Sequence, residues 1–258
     1  MNPSKILATI SNEYQELLGN NLCGIYVHGS LAFNCFNWKN SDIDFIVVVY
    51  EPLTQAQKES VISTLLRLNP LAPPKGFEMS VVLYQDCRDF KYPTPFQLHF
   101  SNTFIQQASE NLSEYCQAMY RTDPDLAAHF TVINKHGLVL YGKAIHDVFA
   151  PVPKEDYLAS IQADISNAVE EIISEPVYII LNLCRVSAFI EEDLVLSKAE
   201  GGEWGLANLP SEYSALIQNA LDAYTSDQAF KMDNGLRLSF ASHVINRNSF
   251  ITNDEGAS

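Results

Sequence analysis

The chain is short of positive charge: 16 lysines and arginines stand against 31 aspartates and glutamates, a formal net charge of −15. Grip on a long polyphosphate rests on basic side chains that displace counterions, so this balance argues against nucleic acid as the substrate. Paired cysteines are lacking too. Cys23, Cys35, Cys87, Cys116 and Cys184 are odd in number and scattered, with no CxxC pair, and read as reduced thiols rather than metal ligands or bridges. Long apolar runs are missing: Phe45 to Tyr50 is far too short to span a bilayer, and MNPSKILATISNEYQELLG lacks the basic start and unbroken apolar stretch of a secretory signal. A cytoplasmic protein without a membrane partner is expected. Repeats and low-complexity tracts are also wanting, and 47% hydrophobic with 18% charged residues is the composition of a globular chain. The acidic excess suits a cationic substrate or simply solubility, and both readings stand.

What is present divides into two halves. Ile6, Ile10, Tyr14, Leu17 and Leu18 recur at helical spacing between a start signal at Ser4 and a stop at Gly19. CGIYVHG, DIDFIVVVY and FEMSVVLY read as strands, separated by a helix from Leu53 to Leu68 and the breaker cluster PLAPPKG. Phe96 to Phe130 reads as mostly helical, broken near Asp123-Pro124, with one further strand in HGLVLYG and a linker in FAPVP at 149–153. Beyond it the pattern is helical only, over about Lys154 to Ile173, Pro176 to Glu191, Ser211 to Tyr224 and Asp227 to Arg247, with a loose end in NDEGAS. The expectation is an α+β protein: a small mixed sheet with flanking helices over 1–150, and an all-α helical bundle over 151–258.

The chemistry concentrates in His28-Gly29-Ser30 and in Asp42-Ile43-Asp44, which leads directly into FIVVV. Side chains alternate along a strand, so Asp42 and Asp44 share one face while Ile43 and Phe45 pack on the other. Two carboxylates that close repel unless a cation neutralises them, and an oxygen-only ligand set suits Mg²⁺ bridging substrate phosphates. Gly29 lets backbone approach a ligand and Ser30 offers a hydroxyl to a phosphate oxygen. Read alone, SDID is equally an Asx-type turn opening a strand. A transferring enzyme also needs a group to accept the proton of the attacking hydroxyl. Glu78 is that candidate, because Phe77, Met79 and Val81 form one face of FEMSVVLY and leave Glu78 and Ser80 on the other.

This Gly-Ser and Asp-x-Asp arrangement with a third carboxylate on a later strand resembles the nucleotidyltransferase superfamily. LNLCRVSAFIEEDLVLSKAEGGEWGLANLP followed by DAY is similar to the C-terminal helical domain of the aminoglycoside adenylyltransferases that modify streptomycin and spectinomycin. The resemblance implies transfer of AMP from ATP to an antibiotic hydroxyl with release of pyrophosphate. It implies Mg²⁺ on Asp42 and Asp44, Glu78 as base, and phosphate contacts from Ser30 and Ser41. It further places Arg185, Lys198 and Tyr224 of the helical half, and Asp125 of the first half, at the nucleotide. Read without it, Arg185 in the apolar LNLCRV must face a cleft or a carboxylate, or join an interhelical ion pair.

On the acceptor side the chain departs from the members that take both drugs. LHFSNTF puts Thr103 or Phe104 where those have a Trp, and the loop before Pro176 lacks their Trp and Asp while Glu175 keeps a carboxylate. That pattern favours the spectinomycin-type subgroup, acting as a monomer on a small cationic acceptor, with Glu78 and Glu175 toward its ammonium groups. Two other readings remain: the same chemistry on another small molecule or a protein, and a non-catalytic nucleotide-binding or antitoxin-like protein. His28 and His99 read as structural residues and Trp204 as an anchor of helix packing, while Trp38, in the connection next to the Asp-x-Asp motif, is placed to border the nucleotide.

Overall fold

The computed structural model describes residues 2–119, 121–226 and 228–255. The chain divides into two compact units, Met1–Pro153 and Lys154–Ser258.

The first unit opens on α1 (Pro3–Leu18), which starts earlier than the Ser4 signal suggests because Asn2 is its cap, accepting from the Ser4 backbone N–H with Pro3 in the first turn. Ile6, Ile10 and Tyr14 bury its apolar face. The chain continues through β1 (Leu22–Val27), the one-turn α2 (Gly29–Ala32), β2 (Ile43–Val49), α3 (Gln55–Leu68), β3 (Phe77–Leu83) and α4 (Tyr84–Arg88). Thr54 and Gln57 close a capping box on α3. Then follow β4 (Thr94–Phe96), β5 (Leu98–Phe100), α5 (Ile105–Glu110), α6 (Leu112–Gln117), β6 (Arg121–Asp123), α7 (Leu126–His136), β7 (Leu138–Gly142) and α8 (Ile145–Val148).

Five strands form a mixed sheet in the order β5-β3-β2-β1-β7, with β2 and β3 parallel and the other neighbours antiparallel. Every residue of β1 and of β2 is buried, which is why FIVVV reads as a continuous apolar run instead of an alternating one. The expectation of mostly helix from Phe96 to Phe130 holds over residues 102–117 and from Leu126, but it missed the strands at either end of the first stretch. Leu98–Phe100 forms the sheet edge beside β3, and Thr94–Phe96 pairs with Arg121–Asp123 in a separate two-stranded sheet. Three-residue strands hold too few side chains to display a period of two, and their partners lie far along the chain.

The second unit is helical: α9 (Lys154–Ala163), α10 (Ala168–Glu171), α11 (Pro176–Glu192), α12 (Lys198–Asn208), α13 (Ser214–Thr225) and α14 (Asn234–Glu255). The single helix expected to Ile173 is interrupted between α9 and α10, and the last helix begins at Asn234 instead of Asp227, a residue outside those described. Of the NDEGAS end expected to be loose, residues 253–255 belong to α14; residues 256–258 lie outside those described.

Helix α12 was not anticipated, because Gly201 and Gly202 read as a break. They are packing positions. A Cβ on Gly201 would meet Arg185 Cγ at 2.5 Å, one on Gly202 the Leu221 side chain at 2.5 Å, and one on Gly205 Cys184 Sγ at 2.6 Å. The glycines let α12 lie against α11 and α13, and the Ser197–Glu200 capping box supplies the start signal that offsets their poor helix propensity. Trp204 anchors the same contact, donating from Nε1 to Glu192 Oε1 at 2.8 Å. No helix among the described residues is long and apolar enough to cross a membrane.

Candidate active site

The parallel pairing of β2 with β3 builds the centre of the site. Asp44 and Glu78 are register partners, so their side chains leave the same face of adjacent strands. Asp42, one residue before β2, joins them, and carboxylate oxygens of Asp42, Asp44 and Glu78 lie within 4.8 Å of one another. Such an all-oxygen set, with Asp44 almost buried at 6% exposure, fits a hard divalent cation such as Mg²⁺.

The end of β1 closes on this triad. The His28 backbone N–H donates to the Asp44 carbonyl at 3.1 Å, carrying the chain into Gly29 with φ +58°. A Cβ there would fall 1.8 Å from Asp44 Oδ2. Gly29 is therefore required twice, for the left-handed backbone and for the approach to the carboxylate. Next to it, Ser30 Oγ is buried without a hydrogen-bond partner. An orphaned hydroxyl costs stability unless a ligand completes it, and a phosphate oxygen would do so. Ser41 is already engaged: its Oγ accepts from the Asn37 backbone N–H at 3.1 Å, and its own N–H donates to the Asn37 carbonyl at 2.8 Å. It shapes the turn that delivers Asp42.

One member of the site escaped the sequence reading. Asp125, just before α7, comes to Glu78 together with His129, one helical turn further on, and the three offer ligand atoms within 4.8 Å of one another. His129 Nε2 lies 3.2 Å from Asp125 Oδ2 and 3.9 Å from Glu78 Oε1. Burial lowers the pKa of this imidazole, but the carboxylates of Asp125, Glu78 and Asp123 outweigh burial and push it up to about 10. His129 is thus a positive charge set among acids. His28 lies against it, ring centroids 4.4 Å apart, and is held well below the ordinary histidine range by burial and by the charge of His129. The signal that could have found His129 is the aspartate-to-histidine spacing of four residues at the start of a helical pattern.

His99, read as structural, has a partner on the neighbouring strand: Ser80 Oγ and His99 Nδ1 are 2.9 Å apart. Ser80 is only 2% exposed, so it does not open the Glu78 face to solvent. Phe104 packs edge-on against His99, centroids 5.9 Å apart, and Trp38 lies edge-on to Phe36.

In the second unit, Arg185 of α11 donates from Nε to the Leu196 carbonyl and from Nη1 to Asn182 Oδ1, each at 2.9 Å. Both partners are neutral, which answers the expectation of a carboxylate or an interhelical ion pair: its charge is not cancelled by those contacts. Lys198 is the first residue of α12, with Nζ over the Tyr178 ring at 5.1 Å to the centroid. Arg185 thus contacts the backbone just before α12, and Lys198 begins that helix, at the end where the helix dipole adds positive potential. Tyr224 lies near the end of α13 and Glu175 at the cap position of α11.

Residues 147–247 match the family described as aminoglycoside adenylyltransferase, C-terminal domain. The aminoglycoside (3'') (9) adenylyltransferase of Klebsiella pneumoniae is 23% identical over 238 residues, covering 86% of this chain and 88% of that protein. The spectinomycin 9-adenylyltransferase of Enterococcus faecalis is 23% identical over 219 residues, covering 81% and 82%. The crystal structure of an enterococcal spectinomycin adenyltransferase with ATP and spectinomycin is similar at a TM-score of 0.79 and 20% identity, over 96% of this chain and 100% of that one. At that identity the likeness establishes the fold, an N-terminal mixed sheet with helices and a C-terminal helical region.

Proposed function

We propose that the chain is an enzyme of the aminoglycoside adenylyltransferase family, a reading supported by the match of residues 147–247 and by relatives 23% identical, and that it transfers AMP from ATP to a hydroxyl of spectinomycin, releasing pyrophosphate. The observation that carries the reading is the Asp42, Asp44 and Glu78 cluster against the Gly29–Ser30 turn with its orphaned hydroxyl.

Asp42 and Asp44 would hold Mg²⁺, which supplies positive charge to the triphosphate and the leaving pyrophosphate. Glu78 accepts the proton of the acceptor hydroxyl. The freed oxygen forms a bond to the α-phosphorus, the bond from that phosphorus to the α,β-bridging oxygen breaks, and pyrophosphate departs with those electrons. Ser30 donates a hydrogen bond from its hydroxyl to a phosphate oxygen, and Ser41 fixes the turn before Asp42. Asp125, Arg185, Lys198 and Tyr224 are assigned to the nucleotide by the family resemblance.

The acceptor rests on relatives whose names specify spectinomycin, and on Glu175 and Glu78 as carboxylates suited to its ammonium groups. Residues 1–150 act as the nucleotidyltransferase domain and 151–258 as the helical domain, in a cytoplasmic monomer with access to ATP. The test is Mg²⁺-dependent pyrophosphate release from ATP with spectinomycin, with streptomycin, and with neither, using Asp44→Asn as the blank. Release with spectinomycin alone supports both the reaction and the acceptor. Release with streptomycin removes the narrow acceptor, and silence throughout returns the substrate to another small molecule, a protein, or no transfer at all.

A further inference from the structure

We infer that His129 is a positioning residue for the transfer, holding the Glu78 carboxylate beside Asp44 and tying Asp125 to the same point. The inference rests on the proposed reading of Glu78 as the proton acceptor.

Glu78 and Asp44 are direct register partners on parallel strands, and like charges at that separation drive the two carboxylates apart. The backbone fixes where Glu78 begins but not where its flexible side chain ends. His129 meets it from another element: Nε2 stands 3.9 Å from Glu78 Oε1 and 3.2 Å from Asp125 Oδ2, so one ring nitrogen addresses both acids. The ring itself is located by its tilted neighbour His28, 4.4 Å away between centroids, and His28 is fixed through its backbone N–H on the Asp44 carbonyl. A chain of contacts therefore runs from the backbone of one metal-site aspartate, through two imidazoles in tilted contact, to the carboxylate of the base. Carbon from α7 could fill this space, but only a side chain with a donor at the ring's far edge attracts Glu78 toward it.

Removing such an outer partner lowers turnover by roughly 10- to 100-fold while leaving the substrate's own ligands in place. The experiment compares transfer rates of the wild type, His129→Leu, His129→Gln, Glu78→Gln and the double variant Glu78→Gln/His129→Leu. If His129 acts through Glu78, His129→Leu lowers kcat by about 10- to 100-fold with the KM for ATP within about threefold of wild type. His129→Gln, which keeps an N–H donor at similar reach, recovers at least about fivefold of that loss, and the double variant is no slower than Glu78→Gln alone. A wild-type kcat in His129→Leu, a raised KM for ATP with kcat retained, or independent losses multiplying in the double variant would each overturn the inference. Should the wild type transfer AMP to no acceptor, the functional proposal has failed, and the positioning role is then read from a crystal structure of His129→Leu. Displacement of the Glu78 carboxylate from Asp44 sustains it, and an unmoved carboxylate refutes it.

Discussion

Gly29→Ala separates the site from the fold more cleanly than any change to a carboxylate. The added methyl carbon would stand 1.8 Å from Asp44 Oδ2 and 2.6 Å from its Cγ, where real Cβ atoms essentially never come closer than 3.0 Å to a neighbour. The carboxylate, or the turn carrying residue 29, must give way by about 1.2 Å, and a misplacement on the order of 1 Å at a reacting centre costs about 100-fold in rate. That corresponds to about 2.7 kcal/mol in the barrier. The backbone adds a separate cost, since φ +58° puts a Cβ in the left-handed region at roughly 1–2 kcal/mol. For a chain of this size that lowers Tm by about 2–8 °C without unfolding the protein at 25 °C. The assay is thermal unfolding alongside Mg²⁺-dependent pyrophosphate release on one preparation. A folded Gly29→Ala protein turning over at the wild-type rate would refute the claim that this glycine exists to admit Asp44.

Two further outcomes follow from single atoms. Ser30→Ala removes a hydroxyl that is buried and unpaired in the free protein, so Tm should hold or rise slightly while ATP binding weakens by about 5- to 10-fold, the worth of roughly one hydrogen bond; calorimetric titration with ATP and Mg²⁺ checks it, and a drop in Tm with unchanged affinity would make Ser30 structural. Gly205→Ala presses a Cβ to 2.6 Å from Cys184 Sγ at the packing of α12 on α11, so it should lower stability by about 1–3 kcal/mol in urea unfolding and leave kcat at 25 °C unchanged.

Much of the first unit was legible because its rules are local. Asp42, Asp44 and Glu78 announced themselves through alternation along two strands, and parallel pairing brought Glu78 to the register position of Asp44, a pairing the spacing alone left unspecified. Where the reading failed, tertiary context decided. Gly201 and Gly202 looked like a break because their propensity is poor, yet the absent side chains are what allow α12 its approach to α11 and α13. The strands Thr94–Phe96 and Leu98–Phe100 exist through partners elsewhere in the chain, so no window around them carries their pattern.

His129 shows the same limit within the site. A histidine on an apolar helix reads as packing, and its neighbour at helical spacing, Asp125, would suggest only a local pair. What makes it part of the site is Glu78, some fifty residues away on β3 and brought to 3.9 Å by the fold. The acceptor side is harder still. Phosphate chemistry needs carboxylates, a close-approach glycine and a hydroxyl in fixed relation, and residues serving those needs keep a recognisable spacing. A small cationic acceptor asks only for a carboxylate at a suitable distance, which any of many surface acids can satisfy in a chain holding 31. Glu175 therefore carries little signal by itself, and its assignment stands or falls on whether the rate with spectinomycin, and not the binding of ATP, changes when it is replaced by Gln.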